Sequence, residues 1–239
     1  MIRNFLRFAS KKYGYELNKT KNKLEISTNI LFQLKVDLVL DIGANIGQYA
    51  LDLRLNGYKG KIISFEPLPA AHKKLLYNSK NDKNWIIYKR IALGNKDKIT
   101  NIYRSNNEFS SSTKKILKLH LKSDPSSFVI NTYKIDVINL DKIYSECTSK
   151  SKNIFVKIDT QGSEAEILEG FRNNLQNVSG IKIELSTLKL YKNQMTYEFF
   201  FKKFKEKNFS LWSIEPSFIS PVNGRHLQFD AIFINNKKN

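Results

Sequence analysis

The chain has 239 residues, of which 41% are hydrophobic, so it can bury one sizeable core and needs no second domain. Its single cysteine, Cys147, excludes an internal disulfide and any zinc or redox site built from several cysteines, which favours a reducing, cytoplasmic setting. The sequence lacks the run of about 18 apolar residues that would predict a membrane span, and its formal charge of +18 favours anionic partners.

Residues 1–30 are predicted to form a basic helical arm, and residues 31–239 the main domain. The arm has no apolar stretch followed by a cleavage site, so we expect no signal peptide. Its pattern of alternating apolar and basic residues fits a short amphipathic helix on an anionic membrane surface, or a helix packed on the domain itself. The second arrangement is the commoner one. We therefore expect a cytoplasmic protein that is at most peripheral to the inner face of the membrane, with these arm residues at the contact: Ile2, Arg3, Phe5, Leu6, Arg7, Phe8, Lys11 and Lys12.

Apolar, β-branched runs then alternate with segments of helical period. This alternation predicts βαβ units and a mostly parallel sheet. The predicted strands cover 36–43, 61–67, 85–93, 98–104, 153–160 and 180–186, and the predicted helices about 46–55, 69–79 and 194–207.

The stretch 105–132 is the least regular part of the chain. It is rich in serine and lysine and lies between confident strands, so it is predicted to be an insertion on the substrate side of the domain.

Two further strands are predicted at 209–215 and 226–235, joined by a loop that contains Pro, Asn and Gly. Roughly ten residues separate them, so they should pair as an antiparallel hairpin at the edge of the sheet. The predicted fold is therefore α/β and Rossmann-like, with the class I methyltransferase type of sheet, which is mostly parallel with one reversed strand.

The sequence VLDIGANIGQYA (39–50) places a strand before a glycine-containing turn and a helix, which is the context of a nucleotide-binding loop. Asn45 stands where the dinucleotide fingerprint has the glycine that lets the backbone approach a pyrophosphate. A ligand without a pyrophosphate therefore fits better. Asp41 would repel a phosphate but can pair with an ammonium group, such as the amino group of a methionine moiety.

Glu66 ends the second predicted strand, close to the offset of about 20 residues at which an acid meets ribose hydroxyls. The alternative is a surface acid before Pro67 that caps the following helix. The correct spacing from the glycine loop favours ribose binding.

Carboxylates follow the later strands. Asp159 ends the strand in NIFVKIDT and Glu184 the strand in IKIELS, at the edge where open α/β sheets bind ligands. Methyl transfer to a hydroxyl needs positioning and a proton acceptor, so Asp159 is the first candidate base and Glu184 the second. Two neighbouring acids would raise the pKa of one of them. Glu164 is a third candidate, although acids in a helix's first turn also stabilise its dipole, and Asp159 could simply brace the turn.

These segments together resemble the FkbM family of S-adenosylmethionine-dependent methyltransferases. The resemblance covers residues 36–190 and rests on VLDIGANIGQYA, ISFEPLP, IALGNKDK and VKIDTQGSEAEILEG, in this order and spacing. It implies S-adenosylmethionine as cofactor and O-methylation of a sugar, glycan or other small molecule. It also implies that Asp159, Gly162 and Glu164 belong to the later motif, and that the cofactor is bound by Asp41, Gly43, Ala44, Asn45, Gly47, Gln48, Glu66 and Pro67.

Gln161 departs from the glutamate often found before the glycine of that motif. A divalent cation held by Asp159, Glu164 and Glu184 is conceivable, because hard cations prefer oxygen ligands, but this departure weakens the metal hypothesis and we expect no metal.

Two other functions stay open. An RNA methyltransferase would explain the charge of +18, but the lysines are scattered among asparagines with few arginines, so we expect no specific nucleic acid binding. The other is a non-catalytic protein that only binds S-adenosylmethionine. The acceptor and the oligomeric state are left undefined by the sequence.

Overall fold

The computed structural model describes residues 23–238, with side chains from Thr28 onward. Residues 1–22, and with them most of the predicted basic arm, lie outside this part of the chain. Seven α-helices occur in it: α1 (Lys23–Gln33), α2 (Gln48–Leu55), α3 (Pro69–Ser79), α4 (Lys118–Ser123), α5 (Leu140–Thr148), α6 (Glu164–Glu169) and α7 (Tyr197–Glu206). Its ten strands are β1 (Leu38–Ile42), β2 (Lys61–Phe65), β3 (Trp85–Ile87), β4 (Ala92–Gly94), β5 (Lys98–Ser105), β6 (Val129–Asn139), β7 (Ile154–Ile158), β8 (Gly180–Ser186), β9 (Phe209–Pro216) and β10 (Gln228–Asn235).

Seven strands form the central sheet, in the order β3-β2-β1-β7-β8-β10-β9. Its first five strands in this order are parallel: β3, β2, β1, β7 and β8. Strand β10 is antiparallel to both of its neighbours. The predicted Rossmann-like sheet with one reversed strand and a C-terminal hairpin is confirmed. The edge strand of the hairpin is β9, whereas β10 lies inside the sheet.

The single strand predicted over 85–93 is wrong. Only β3 extends the central sheet, by pairing with β2, and β4 belongs to a second, three-stranded sheet with the order β4-β6-β5. The charged pair Lys89 and Arg90 interrupts the apolar run between the two strands, so one continuous buried strand cannot form there.

The stretch 105–132 is more regular than predicted. It contains α4 and two single turns of 3₁₀-helix, and β6 begins within it at Val129. Strand β6 and the following helix α5 were not predicted. Most residues in the first half of β6 are exposed, and its pattern of alternating apolar residues is confined to the second half, at Tyr133, Ile135 and Val137.

Helices cover both faces of the central sheet, because successive residues of its strands point to opposite faces. Leu38 and Leu40 face one core, shared with α5, α6 and α7, while Val39 faces another, shared with α1, α2 and α3. None of the helices in residues 23–238 combines the length and apolarity needed to cross a membrane. The carboxyl ends of β1, β2, β7 and β8 meet at one edge of this three-layer structure, where their polar residues collect.

Candidate cofactor and active site

A cavity of about 420 Å³ lies at this edge of the sheet. The three-stranded sheet forms one wall of it, through residues that include Leu93 and Ile102. Asp159 contributes to the lining, whereas Asp41, Gly47, Glu164 and Glu184 do not. The other predicted cofactor residues all line the cavity: Gly43, Ala44, Asn45, Gln48, Glu66 and Pro67.

The glycine loop is shaped by contacts inside the protein. Gly43 has a φ of 78°, and a Cβ added there would lie 1.8 Å from the carbonyl oxygen of Asp159. At Gly47 a Cβ would lie 2.5 Å from the ring of Trp85. Both positions therefore require glycine because of their backbone conformation and close packing, and the loop is held tightly over the end of the sheet.

Glu66 connects this loop to the next turn. Its carboxylate accepts hydrogen bonds from the backbone N–H groups of Asn45 (2.9 Å) and Leu68 (2.8 Å), one at each oxygen. Burial raises the pKa of Glu66 to about 7, against the effect of these two hydrogen bonds. A carboxylate has about four acceptor positions, so two remain for donors from a ligand in the cavity. This capacity fits a pair of ribose hydroxyls.

Asp41 is completely buried beneath the loop. One of its oxygens accepts a hydrogen bond from Ser64 Oγ (3.1 Å), and the other lies 3.3 Å from the ammonium nitrogen of Lys157. Burial raises the pKa of Asp41, and the charge of Lys157 opposes the shift. In this structure the ammonium group beside Asp41 is thus that of Lys157, where the sequence had suggested the amino group of a methionine moiety.

Lys157 is a central residue that the sequence analysis missed. Its ammonium nitrogen donates a hydrogen bond to the carbonyl oxygen of Gly43 (2.9 Å) and also lies 3.7 Å from a carboxylate oxygen of Asp159. Burial lowers the pKa of Lys157, but the charges of Asp41 and Asp159 outweigh this effect and the net shift is upward. A lysine within the apolar run IFVKI, on the same face as Asp159, was the signal that could have identified it.

Asp159 and Glu184 are brought together by a third side chain, Gln161. Its amide nitrogen donates to Asp159 Oδ1 (2.9 Å) and to Glu184 Oε2 (2.5 Å), and its amide oxygen accepts from the hydroxyl of Tyr191 (3.0 Å). Glu184 accepts further hydrogen bonds from Ser217 and Gln228. Its pKa lies well above the ordinary value, first because it is removed from water and then because of the charge of Asp159.

Glu164 braces the turn between β7 and α6. One oxygen of its carboxylate accepts from the backbone N–H of Thr160 (3.2 Å), from the hydroxyl of Thr160 (3.2 Å) and from the backbone N–H of Gly162 (2.9 Å). Burial raises its pKa. With only 3% of its surface exposed and no place in the cavity lining, Glu164 is positioned to hold the turn that carries Asp159 and Gln161.

The segment 105–132 packs directly on this turn. Ser112 Oγ donates to the carbonyl oxygen of Gln161 (2.5 Å), the hydroxyls of Thr113 and Ser163 are 2.7 Å apart, and Lys114 forms an ion pair with Glu166 (2.7 Å). The predicted insertion therefore forms part of the cavity wall next to Asp159.

The cavity suits a nucleoside with a charged amino-acid arm better than a metal ion. Glu66 offers acceptor positions at the loop, Lys157 and Asp159 line the cavity beyond it, and the apolar wall near Leu93 can cover a base. Across residues 23–238, no group of three or more His, Cys, Asp or Glu side chains could hold a metal ion.

The chain was compared with protein families and with known proteins, and the matches below are methyltransferases. A family model described as a methyltransferase FkbM domain matches residues 41–211. The hexuronic acid methyltransferase AglP of Haloferax volcanii is 28% identical over 149 residues, which are 62% of this chain and 56% of that protein. The chain thus matches little more than half the length of this relative.

The chain also has some similarity to solved structures, among them the following two. The rRNA methylase of Streptococcus thermophilus is 10% identical with a TM-score of 0.49, and the aligned region covers 91% of this chain and 99% of that one. TrmK of M. capricolum, solved with S-adenosylhomocysteine, is 13% identical with a TM-score of 0.48, over 88% of this chain and 68% of that one.

Proposed function

The chain belongs to the FkbM methyltransferase family, and on this basis we propose that it transfers the methyl group of S-adenosylmethionine to a hydroxyl group of a sugar or glycan. The methyl donor follows from the family. The hydroxyl acceptor and the roles of individual residues are parts of the proposal.

The observation that carries the proposal is the carboxylate of Asp159 at the cavity wall, with its orientation fixed by Gln161 and Lys157. When bound, S-adenosylmethionine would supply an electrophilic methyl group to the acceptor oxygen, and the electron pair of the broken carbon–sulfur bond would stay on sulfur in the thioether product. Asp159 takes up the proton that the acceptor hydroxyl releases. Gln161 and Lys157 hold the carboxylate in place, so that the geometry is set before the acceptor arrives.

The cofactor residues have a separate task in this scheme. Glu66 accepts hydrogen bonds from ribose hydroxyls, and the backbone of Gly43, Ala44 and Asn45 forms the floor beside it. The sugar acceptor is supported by the relative from Haloferax volcanii, which is named as a hexuronic acid methyltransferase.

An acceptor screen with methyl-labelled S-adenosylmethionine tests the proposal. Simple glycosides and a total RNA preparation would be incubated with the full chain, and the labelled products treated with mild alkali. We expect label in glycosides as an alkali-stable methyl ether. Label only in RNA, or only in an alkali-labile ester, would contradict the proposal.

RNA is the second candidate acceptor, because the net charge is +18. Contacts to phosphates give an affinity that falls steeply with salt. We expect weak RNA binding that disappears at physiological salt, whereas nanomolar, sequence-selective binding under those conditions would favour the RNA acceptor.

A further inference from the structure

The cavity continues past Asp159 along one face of the central sheet, where it is lined by charged side chains. We call this part the lysine lobe. Strands β7, β8, β9 and β10 and the first turns of α2 contribute to it. It consists of Tyr49, Asp52, Lys157, Lys182, Glu215 and Asp230, which all line the cavity.

The two lysines of the lobe are already paired with carboxylates. Lys182 lies 3.1 Å from Asp230 and 3.8 Å from Glu215. Lys157 lies 3.3 Å from Asp41 and 3.7 Å from Asp159. The centroid of the Tyr49 ring lies 6.0 Å from the ammonium nitrogen of Lys157 and 5.7 Å from that of Lys182. The lobe is therefore a compact network with little positive charge left over.

Carboxylates outnumber the ammonium groups around this network. The lobe contains three carboxylates, those of Asp52, Glu215 and Asp230, and Asp159 borders it. Its ammonium groups are only two, those of Lys157 and Lys182. Burial raises the pKa of Asp52 and the charge of Lys182 opposes the shift. On a chain with a formal charge of +18, this part of the cavity is acidic.

Several buried polar atoms in this region lack a hydrogen-bond partner within residues 23–238. They are the hydroxyl of Tyr49, one carboxylate oxygen of Glu215 and the hydroxyl of Thr28, which also lines the cavity and is only 2% exposed. Unsatisfied buried polar groups are costly and therefore rare. All three belong to residues that line the cavity, so a polar ligand there has hydrogen-bonding groups to meet.

The part of the lobe on β8, β9 and β10 is distant from Glu66 across the sheet, whereas Tyr49 and Asp52 lie on α2, directly after the glycine loop. Strand β8, which carries Lys182, is the third strand from β2, which ends just before Glu66. Neighbouring strands lie about 4.8 Å apart, so the two strands are separated by about 14 Å, and β10 and β9 are farther still. Asp159 ends β7, between the two regions. This arrangement leaves the part of the lobe on β8, β9 and β10 for a second molecule whose reactive group meets Asp159.

We propose that the lysine lobe binds the methyl acceptor and selects neutral or amino-bearing sugars against uronates. The inference rests on the proposed function. Sugar hydroxyls and amines donate hydrogen bonds to carboxylates, and the lobe offers more carboxylates than ammonium groups. A uronate would bring a further negative charge to lysines that are already neutralised, at a cost in unfavourable charge interactions. The preference would differ from the hexuronic acid named for the relative.

Binding of three probes tests the inference without requiring turnover. Methyl glucoside, methyl glucosaminide and methyl glucuronide would be titrated by saturation-transfer NMR onto the full chain saturated with S-adenosylhomocysteine. We expect the glucoside and the glucosaminide to bind at least about tenfold more tightly than the glucuronide. Equal binding of all three, tighter binding of the glucuronide, or no binding of any would overturn the inference.

Two variants test whether the weaker binding of the glucuronide is caused by carboxylates of the lobe. Asp52→Asn and Asp230→Asn each remove one negative charge, so the preference against the glucuronide should narrow several-fold, while the exposed Glu206→Gln should leave it unchanged. Affinity for S-adenosylhomocysteine, measured by calorimetry, should stay within about twofold. An unchanged preference would overturn the inference, and a tenfold loss of S-adenosylhomocysteine binding would assign the lobe to the cofactor instead.

The proposed function fails in a different way. If the glycosides bind in the expected order but none is methylated when S-adenosylmethionine replaces the product, the lobe is a sugar site and the proposed transfer to these hydroxyls is wrong.

Discussion

The amide nitrogen of Gln161 lies 2.5 Å from a carboxylate oxygen of Glu184, and this contact ties Glu184 to the turn that carries Asp159. The same nitrogen bonds to Asp159. A glutamate at position 161 would replace the shared donor with a third negative charge.

Gln161→Glu should therefore destabilise the protein by about 1–3 kcal/mol at pH 8. The new carboxyl would have a raised pKa in the folded state, so its destabilising effect is absent below the ordinary glutamate pKa and grows as the pH rises. Urea unfolding of wild type and variant at pH 5 and pH 8 measures the effect. The exposed Gln176→Glu is the matched control and should change stability by less than about 0.5 kcal/mol. An equal loss at both pH values would contradict the role of charge.

Asp159→Asn should separate chemistry from binding. It keeps the size and hydrogen-bonding capacity of the side chain but lacks the carboxylate, so single-turnover methyl transfer should fall by roughly 10²–10⁴-fold. The dissociation constant of S-adenosylhomocysteine should change by less than about tenfold. An undiminished rate with the wild-type pH profile would assign Asp159 a structural role, and Glu184 would be tested next.

The raised pKa of Glu66 predicts a pH-dependent cofactor affinity. Ribose hydroxyls donate to the ionised carboxylate, so below the pKa of about 7 binding must first remove a proton and should weaken by up to about tenfold per pH unit. Calorimetry with S-adenosylhomocysteine between pH 6 and pH 8.5 measures this. Glu66→Gln should bind more weakly at pH 8.5, by about 1.5–3 kcal/mol, and with little dependence on pH. A wild-type affinity that is constant over this range would remove Glu66 from the ribose site.

Two glycines with left-handed backbones form a matched pair. Gly43→Ala places a Cβ against the carbonyl oxygen of Asp159, while Gly57, with a φ of 86°, has open space around the position of its Cβ. Gly57→Ala should cost about 1–2 kcal/mol from backbone conformation alone, and Gly43→Ala at least about 2–4 kcal/mol. Thermal and urea unfolding compare them, and similar losses would show that the loop can move away from β7.

Removal of the ammonium group beside Asp41 should be strongly destabilising. Lys157→Met leaves a completely buried carboxylate without its counter-charge, which costs about 3–5 kcal/mol. The double variant Lys157→Met/Asp41→Asn should recover part of this loss, because no charge is then left unpaired. Strictly additive losses in urea unfolding would show that the two side chains do not stabilise each other.

The sequence predicted the central strands well because their apolar runs and turn residues are local signals, as in 36–43 and 180–186. It also identified the positions that line the cavity next to the loop. It could not predict the ion pair of Lys157 with Asp41 or the hydrogen bond of Gln161 with Glu184, because these contacts depend on which strands become neighbours. Strand β6 was missed because its first residues are exposed and it lies outside the central sheet. Helix α5 was missed although Leu140, Ile143, Tyr144 and Cys147 have helical spacing and pack on the main core.

The position of β10 between β8 and β9 has a consequence for the order of folding. Within the central sheet β9 pairs only with β10, so it can join this sheet only after β10 has paired with β8. Because Asp230 lies opposite Glu215 in that pair, the two carboxylates beside Lys182 come together in one step, when the C-terminal hairpin docks on β8.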